Sequence, residues 1–184
     1  MSPSDRCAYV VASAAPPVLR VADLVTRLIG DGWRVCLVAT PTAASWVDLD
    51  AIAAGTGCLA RPAPDPPGRG TPLPRADAVL AAPLTFNSAN KWAAGISDNL
   101  ALGLLNELLG VDVPVIAAPC VKESLRRHPA YGDSVARLTA AGVVLVDAVA
   151  GRGPDGLVAF DWARLADALH HAAADPDQAR VRPT

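Results

Sequence analysis

The chain has 184 residues, enough for one domain with a real core and too few for two of ordinary size. Hydrophobic residues make up 52% and charged residues 18%, which fits buried strands and Ala/Leu-rich helices and excludes a disordered chain. A net charge of −2 gives no electrostatic reason for a nucleic-acid partner, and no apolar run is long enough to make a membrane partner expected.

The opening MSPSDRC lacks the charged lead and small-residue cleavage site of a signal peptide, so a cytoplasmic location is the default expectation. Residues 8–12 (AYVVA) read as a short buried strand. Val21, Leu24, Val25 and Leu28 then recur at helical spacing up to Gly30 and Gly32, which stop the helix. Residues 33–39 (WRVCLVA) form a second buried strand, because a parallel strand covered on both faces need not alternate. This strand–helix–strand order implies a right-handed crossover. At Thr40-Pro41-Thr42, Thr40 suits a helix cap and Pro41 the first helical position. Residues 61–74 (RPAPDPPGRGTPLP) are too rich in Pro and Gly for a regular element and read as a surface loop.

Residues 78–82 are again strand-like. After Pro83 comes a polar patch of Thr85, Asn87, Ser88 and Asn90, and then a long apolar helix to Leu109. In an open parallel sheet, ligands bind beyond the carboxyl ends of strands, so this loop is the best site candidate. Ile96, Leu100, Leu104 and Leu108 fall on one face of the helix, but Leu102, Leu105 and Leu109 spread apolar surface around it, which favours a subunit contact. Lys91 and Asp98, seven apart, would share a helical face, either as an ion pair or as ligand contacts.

Residues 111–118 (VDVPVIAA) give the next strand. Tyr131, Val135 and Leu138 mark a helix closing at Gly142, and residues 143–146 (VVLV) a last core strand. The Gly/Pro-rich stretch 150–156 reads as loop. Residues 161–174 form a terminal helix with Leu165 and Leu169 inward, and residues 175–184 a frayed tail. His170 and His171 are adjacent, so they make no i,i+4 metal pair and are expected to face solvent. Cys7, Cys36, Cys58 and Cys120 lack metal-ligand spacing; the first three read as reduced buried thiols. The fold expected is α/β: a single-domain, doubly wound, Rossmann-like parallel sheet with helices on both faces, its core spanning about residues 8–174.

The stretch 76–109 resembles the flavin-containing cysteine decarboxylases, which include phosphopantothenoylcysteine decarboxylase and the decarboxylases that modify peptide C-terminal cysteines. Their pattern is A-D, an apolar strand, P-x-[ST]-x-N-[ST], then K, G and D-N-L at fixed steps. Ala76, Asp77, Pro83, Thr85, Asn87, Ser88, Lys91, Gly95, Asp98, Asn99 and Leu100 supply it here. The segment after Thr42 is similar to the family's T-x-x-A-x-x-F-[IV], with Trp46 and Val47 as the closing pair. The resemblance implies an FMN cofactor held by Thr85, Phe86, Asn87 and Ser88, with Thr40 and Thr42 at the phosphate or ribityl chain and Cys120 where the backbone meets the isoalloxazine ring. It further implies Ala14 and Ala15, in place of a Gly-Ser step, at the phosphate, and a trimeric unit with flavin sites at subunit borders.

Three departures accompany it. The family's base histidine, shortly before A-D, falls at or near Arg69, and a guanidinium cannot serve as a base near neutral pH. In the register of P-A-M-N-x-x-M-W, Lys122 replaces the substrate-reading asparagine, and Leu125 and Arg126 replace Met-Trp; the H-P-A segment survives as His128-Pro129-Ala130. The Ala-Cys-Gly signature of the substrate clamp has no cysteine counterpart near residues 156–160. One expectation is an FMN-dependent redox enzyme acting on a thiol or peptide-like anionic substrate near Lys122, Arg126 and Arg127. A second is a non-catalytic FMN-binding regulatory or companion subunit. A third is a doubly wound domain for another nucleotide or none, although no G-x-G-x-x-G occurs in the loop.

Overall fold

In the computed structural model, residues 6–66, 68 and 72–174 are described; Arg69 and the tail 175–184 lie outside them. The chain runs β1 (Cys7–Ala12), a 3-10 turn (Pro16–Arg20), α1 (Val21–Gly30), β2 (Arg34–Ala39), α2 (Pro41–Ala44), α3 (Leu49–Thr56), β3 (Leu59–Arg61) and β4 (Ala78–Leu84). It continues through α4 (Phe86–Ala93), α5 (Leu100–Leu109), β5 (Val115–Pro119), α6 (Glu123–Arg126), α7 (Pro129–Ala140), β6 (Val143–Leu145), β7 (Val149–Arg152), β8 (Val158–Phe160) and α8 (Trp162–Ala174). Six strands form one parallel sheet in the order β3-β2-β1-β4-β5-β6. The expected doubly wound α/β fold is therefore present, with β1 central and the strand order reversing between β1 and β4.

The central strands look uniformly apolar in sequence because they feed two cores. Ala8, Val10 and Ala12 of β1, with Val35 and Leu37 of β2 and Leu80 of β4, pack against Leu24 and Leu28 of α1 and Leu165 and Leu169 of α8. Tyr9, Val11, Val38, Val79 and Ala81 point the other way, against Trp92 of α4, Leu102 and Leu105 of α5, and Leu138 of α7. Each strand thus alternates between two buried faces.

Four expectations are corrected. The long apolar helix to Leu109 is two helices. Gly95, at φ +72°, turns the chain out of α4, and Asn99 caps α5 by accepting from the Leu102 N–H at 3.1 Å. The stretch 150–156 is not wholly loop, because β7 and β8 make a two-stranded antiparallel hairpin. The hairpin leans on the 3-10 turn after β1, with Arg20 and Asp155 paired at 3.6 Å. The Pro-rich loop begins with an edge strand, β3, paired to β2. His170 is half-buried and not free in solvent: its Nδ1 accepts from Trp33 Nε1 at 3.2 Å and its Nε2 lies 3.1 Å from Asp31 Oδ2, tying α8 to the turn before β2. His171 is exposed as expected. Cys7, Cys36 and Cys58 are free, buried thiols, as their surroundings implied. Among the described residues no helix is long and apolar enough to cross a membrane.

His170→Ala removes two hydrogen-bonding contacts and is expected to cost about 1–3 kcal/mol in urea denaturation, whereas His171→Ala stays within about 0.5 kcal/mol.

Candidate functional site

The carboxyl ends of β1, β4 and β5 are tied by main-chain bonds that continue past the regular ladder. The Ser13 N–H donates to the Pro83 carbonyl and the Cys120 N–H to the Leu84 carbonyl, both at 2.9 Å. The Ala82–Pro83 peptide bond is cis, and the β4–β5 register shifts between Ala81 and Leu84. β2 joins the group through the Thr40 N–H, which donates to the Ala12 carbonyl at 2.9 Å. Four loops therefore begin side by side at the point where the strand order reverses.

The loops after β2 and β4 turn by caps written in their sequence. Thr85 caps α4: its Oγ1 accepts from the Ser88 N–H at 3.2 Å and lies 3.1 Å from Ser88 Oγ. Ser88 is buried, while Asn87 projects from the same turn with its side chain exposed. Thr40 caps α2 by accepting from the Ala43 N–H at 3.4 Å, with Pro41 at the first helical position. The α4 amino end directs backbone N–H groups and a positive dipole toward the crevice. None of the four loops, residues 12–20, 39–47, 83–97 and 118–122, carries a carboxylate to repel an anion.

The far side is aromatic and basic. Phe86 stacks on Tyr131, with ring centroids 6.2 Å apart, and meets the His128 ring edge-on at 5.6 Å. His128 caps α7, its Nδ1 accepting from the Ala130 N–H at 3.1 Å, so the neutral imidazole carries its proton on Nε2. Arg126 donates from Nε to the Val121 carbonyl at 3.1 Å. Burial pushes the Cys120 thiol above its ordinary value, and the positive charge of Arg126 opposes that rise. Burial raises the Tyr131 phenol in the same way.

The family model described as Flavoprotein matches residues 3–161. The chain belongs to the Flavoprotein family. Among curated relatives it is 36% identical over 81 residues to a cysteine/cysteine sulfinic acid decarboxylase of an unknown prokaryotic organism, covering 44% of this chain and 22% of that protein. It is 34% identical over 88 residues to the phosphopantothenoylcysteine decarboxylase of Mus musculus, covering 46% of this chain and 43% of that protein. The matched stretches thus span under half the length of these relatives. The solved structure of the FMN-dependent cysteine decarboxylase SpaF superposes with a TM-score of 0.72 at 22% identity, covering 94% of this chain and 99% of that one.

In this flavoprotein the residues singled out in sequence divide into two groups. Thr40, Thr85, Ser88 and Cys120 come together at neighbouring strand exits, with Asn87 on the outer side of the same helical turn. Ala14 and Ala15 share the β1 exit but differ. The Ala15 N–H is committed to the Ser13 carbonyl at 2.9 Å, while the Ala14 N–H has no partner among the described residues. Thr42 lies exposed on α2, and the Phe86 ring is turned onto α7. Lys122 and Arg126 flank the short α6, but Arg127 is drawn off by Glu123 at 3.2 Å and leaves the basic group. Ser13, 4% exposed at the β1 exit, was missed; its only sequence signal is a hydroxyl directly after a buried strand. Asn90 Oδ1 on α4 is a buried polar atom without a partner among the described residues.

Lys91 and Asp98 do form an ion pair, but across the α4–α5 turn and not on one helical face. Asn99 Nδ2 also donates to Asp98, and Asn106 Nδ2 donates to the Ile96 carbonyl at 3.1 Å, so the turn is held at several points.

Thr85→Ala is expected to cost about 0.5–2 kcal/mol by loss of the α4 cap, with Thr85→Ser recovering most of it in denaturant titrations. The hydrogen bond from Lys91 holds the Asp98 carboxyl below the ordinary aspartate range. A depressed folded-state value stabilises above the ordinary range, and that contribution disappears as pH falls through the lowered value. Asp98→Asn should therefore flatten this part of the acid limb of the stability–pH curve while leaving its neutral-to-basic shape unchanged.

Proposed function

We propose that this flavoprotein binds FMN at the carboxyl ends of β1, β2, β4 and β5. The observation that carries the proposal is the donor set at the strand exits: the Ala14 N–H, unpartnered among the described residues, the Ser88 hydroxyl, to which the Thr85 hydroxyl donates, and the α4 amino end, with no carboxylate in any of the four loops. Those residues suit a phosphate and a polar ring edge. Thr40, Thr42 and Asn87 extend the set along the ribityl chain, and Cys120 and Phe86 border the ring. Ala15 contributes as a small residue allowing close approach, its own N–H being engaged.

The reaction we assign is flavin-dependent oxidation of a thiol-bearing or peptide-like anionic substrate. Bound FMN supplies a two-electron acceptor for such a thiol. Arg126, braced on the Val121 carbonyl, and Lys122 at the start of α6 would hold the substrate's anionic group by charge-assisted hydrogen bonds. The positions expected for the decarboxylases' base histidine and substrate-reading asparagine carry Arg69 and Lys122, which supports altered chemistry over a copied decarboxylation. The same two positions support a second reading, a non-catalytic FMN-binding companion subunit. For assembly, a trimeric unit agrees with the half-buried Leu104, Leu108 and Leu109 on α5 and with Ile96, 43% exposed beside it.

The purified protein should show a flavin absorption spectrum and release FMN on denaturation. Asn87→Ala should raise the FMN dissociation constant about tenfold, equivalent to the loss of one good hydrogen bond. Colourless protein that takes up no FMN would remove the proposal. Lys122→Ala should weaken substrate binding without lowering FMN content; unchanged substrate affinity would remove Lys122 from the site. Carbon dioxide release from a cysteine-terminated peptide or from phosphopantothenoylcysteine would eliminate the companion-subunit reading.

A further inference from the structure

At the opposite edge of the sheet, the amino ends of β2 and β3 border a cleft of about 300 Å3. Ile29, Trp33, Leu59 and Pro74 give it apolar walls, Cys36 lies at its floor and Arg34 at its rim. A six-residue strand rises about 20 Å, so this cleft is well separated from the loops at the other end of β1 and β2.

Its polar groups are occupied, with one exception. Thr56 Oγ1 donates to the Ile52 carbonyl at 2.7 Å and receives the Cys58 N–H at 3.3 Å. Behind Pro74, its carbonyl accepts the Tyr9 hydroxyl at 2.7 Å. Nearby carboxylates are engaged as well: Asp31 with His170, and Asp77 with the Cys7 N–H at 2.7 Å. Arg34, exposed, pairs with no carboxylate among the described residues.

Trp33, 3% exposed, closes the inner side of the cleft. Trp33 donates from Nε1 to His170, and the Arg6 guanidinium lies 4.5 Å over its ring. The floor is neutral: the contact with Cys7 and burial together raise the Cys36 thiol far above its ordinary value, so it presents no thiolate to an anion. Branched apolar walls bordered by the exposed Arg34 guanidinium, with that of Arg6 on the far side of Trp33, match the usual make-up of a small-ligand site, mostly apolar with a few orienting charges.

We infer that this cleft is a second binding site, distinct from the flavin site, for a small organic anion with an apolar body. The apolar body would lie against Ile29, Leu59 and Pro74, and the carboxylate or sulfonate on Arg34.

The probe is naphthalene-1-sulfonate, titrated by calorimetry into the protein as purified, with FMN content measured before and after. Saturable binding to the wild type is expected, weakened about tenfold or more in Arg34→Gln. Arg34→Lys should be intermediate, because the ammonium keeps the charge and loses the fork. Leu59→Trp, which fills the cleft, should abolish binding and carries the test if Arg34→Gln does not fold. FMN content should be unchanged throughout. No binding to wild type, equal binding to Leu59→Trp, or displacement of FMN by the probe would each overturn the inference. These outcomes are separable from the flavin proposal, which is read from FMN content alone.

Discussion

Two main-chain carbonyls set the geometry of the candidate site. Pro83 and Leu84 are neighbours on β4, yet their oxygens accept from opposite sides, from Ser13 beyond β1 and from Cys120 beyond β5. A buried carbonyl left unpaired costs about 1–3 kcal/mol, so both partners are under strong constraint. The result is that the loops after β1, β4 and β5 leave the sheet in fixed relation to one another. Thr85, immediately following, then starts α4 at the centre of that arrangement and aims its first turn into the crevice. Side-chain chemistry at the site depends on this backbone frame more than on any single hydroxyl.

The cost of the frame is small residues at its heart. Ala12, Ala39, Ala81, Ala82, Ala117 and Ala118 occupy the carboxyl halves of four adjacent strands, and all are 0–1% exposed. Bulk is supplied from the layers above and below, by Leu24, Leu28, Leu165 and Leu169 on one side and Trp92, Leu102, Leu105 and Leu138 on the other. Trp92 fills its core with a buried indole N–H that has no partner among the described residues, an unfavourable feature that its large apolar contact area offsets.

How much of this was legible follows from how local each signal is. Five strands of the main sheet and the main helices could be read, although the last, β6, is an edge strand with only Val143 buried, because apolar runs and caps such as Thr40-Pro41 act within a few residues. The break between α4 and α5 was hidden because apolar spacing continues across it, although Gly95 and Asn99 carry the stop and start signals. β3, β7 and β8, of three or four residues and mostly half-buried or exposed, lack the length for a periodic pattern. His170 was misread because its partners, Trp33 and Asp31, lie more than 130 residues away in sequence. At the site, the hydroxyls at Thr85 and Ser88 were readable from their cap spacing. The commitment of the Ala15 N–H depends on turn geometry, which no residue pattern encodes, whereas the diversion of Arg127 to Glu123 follows an i,i+4 spacing that the sequence carries.

The pairing of β1 with β4 has a kinetic consequence. Cys7 and Asp77, bonded at the start of that pair, are 70 residues apart, and everything from α1 to the Pro-rich loop must be threaded between them. Closing so large a loop is entropically uphill until the ladder zips, so this union belongs to the slow, late part of folding. The crevice between the two strands does not exist before it. A nascent chain released by the ribosome only as far as β3 has no place to receive a ligand, and capture of one must wait until β4 has emerged and docked.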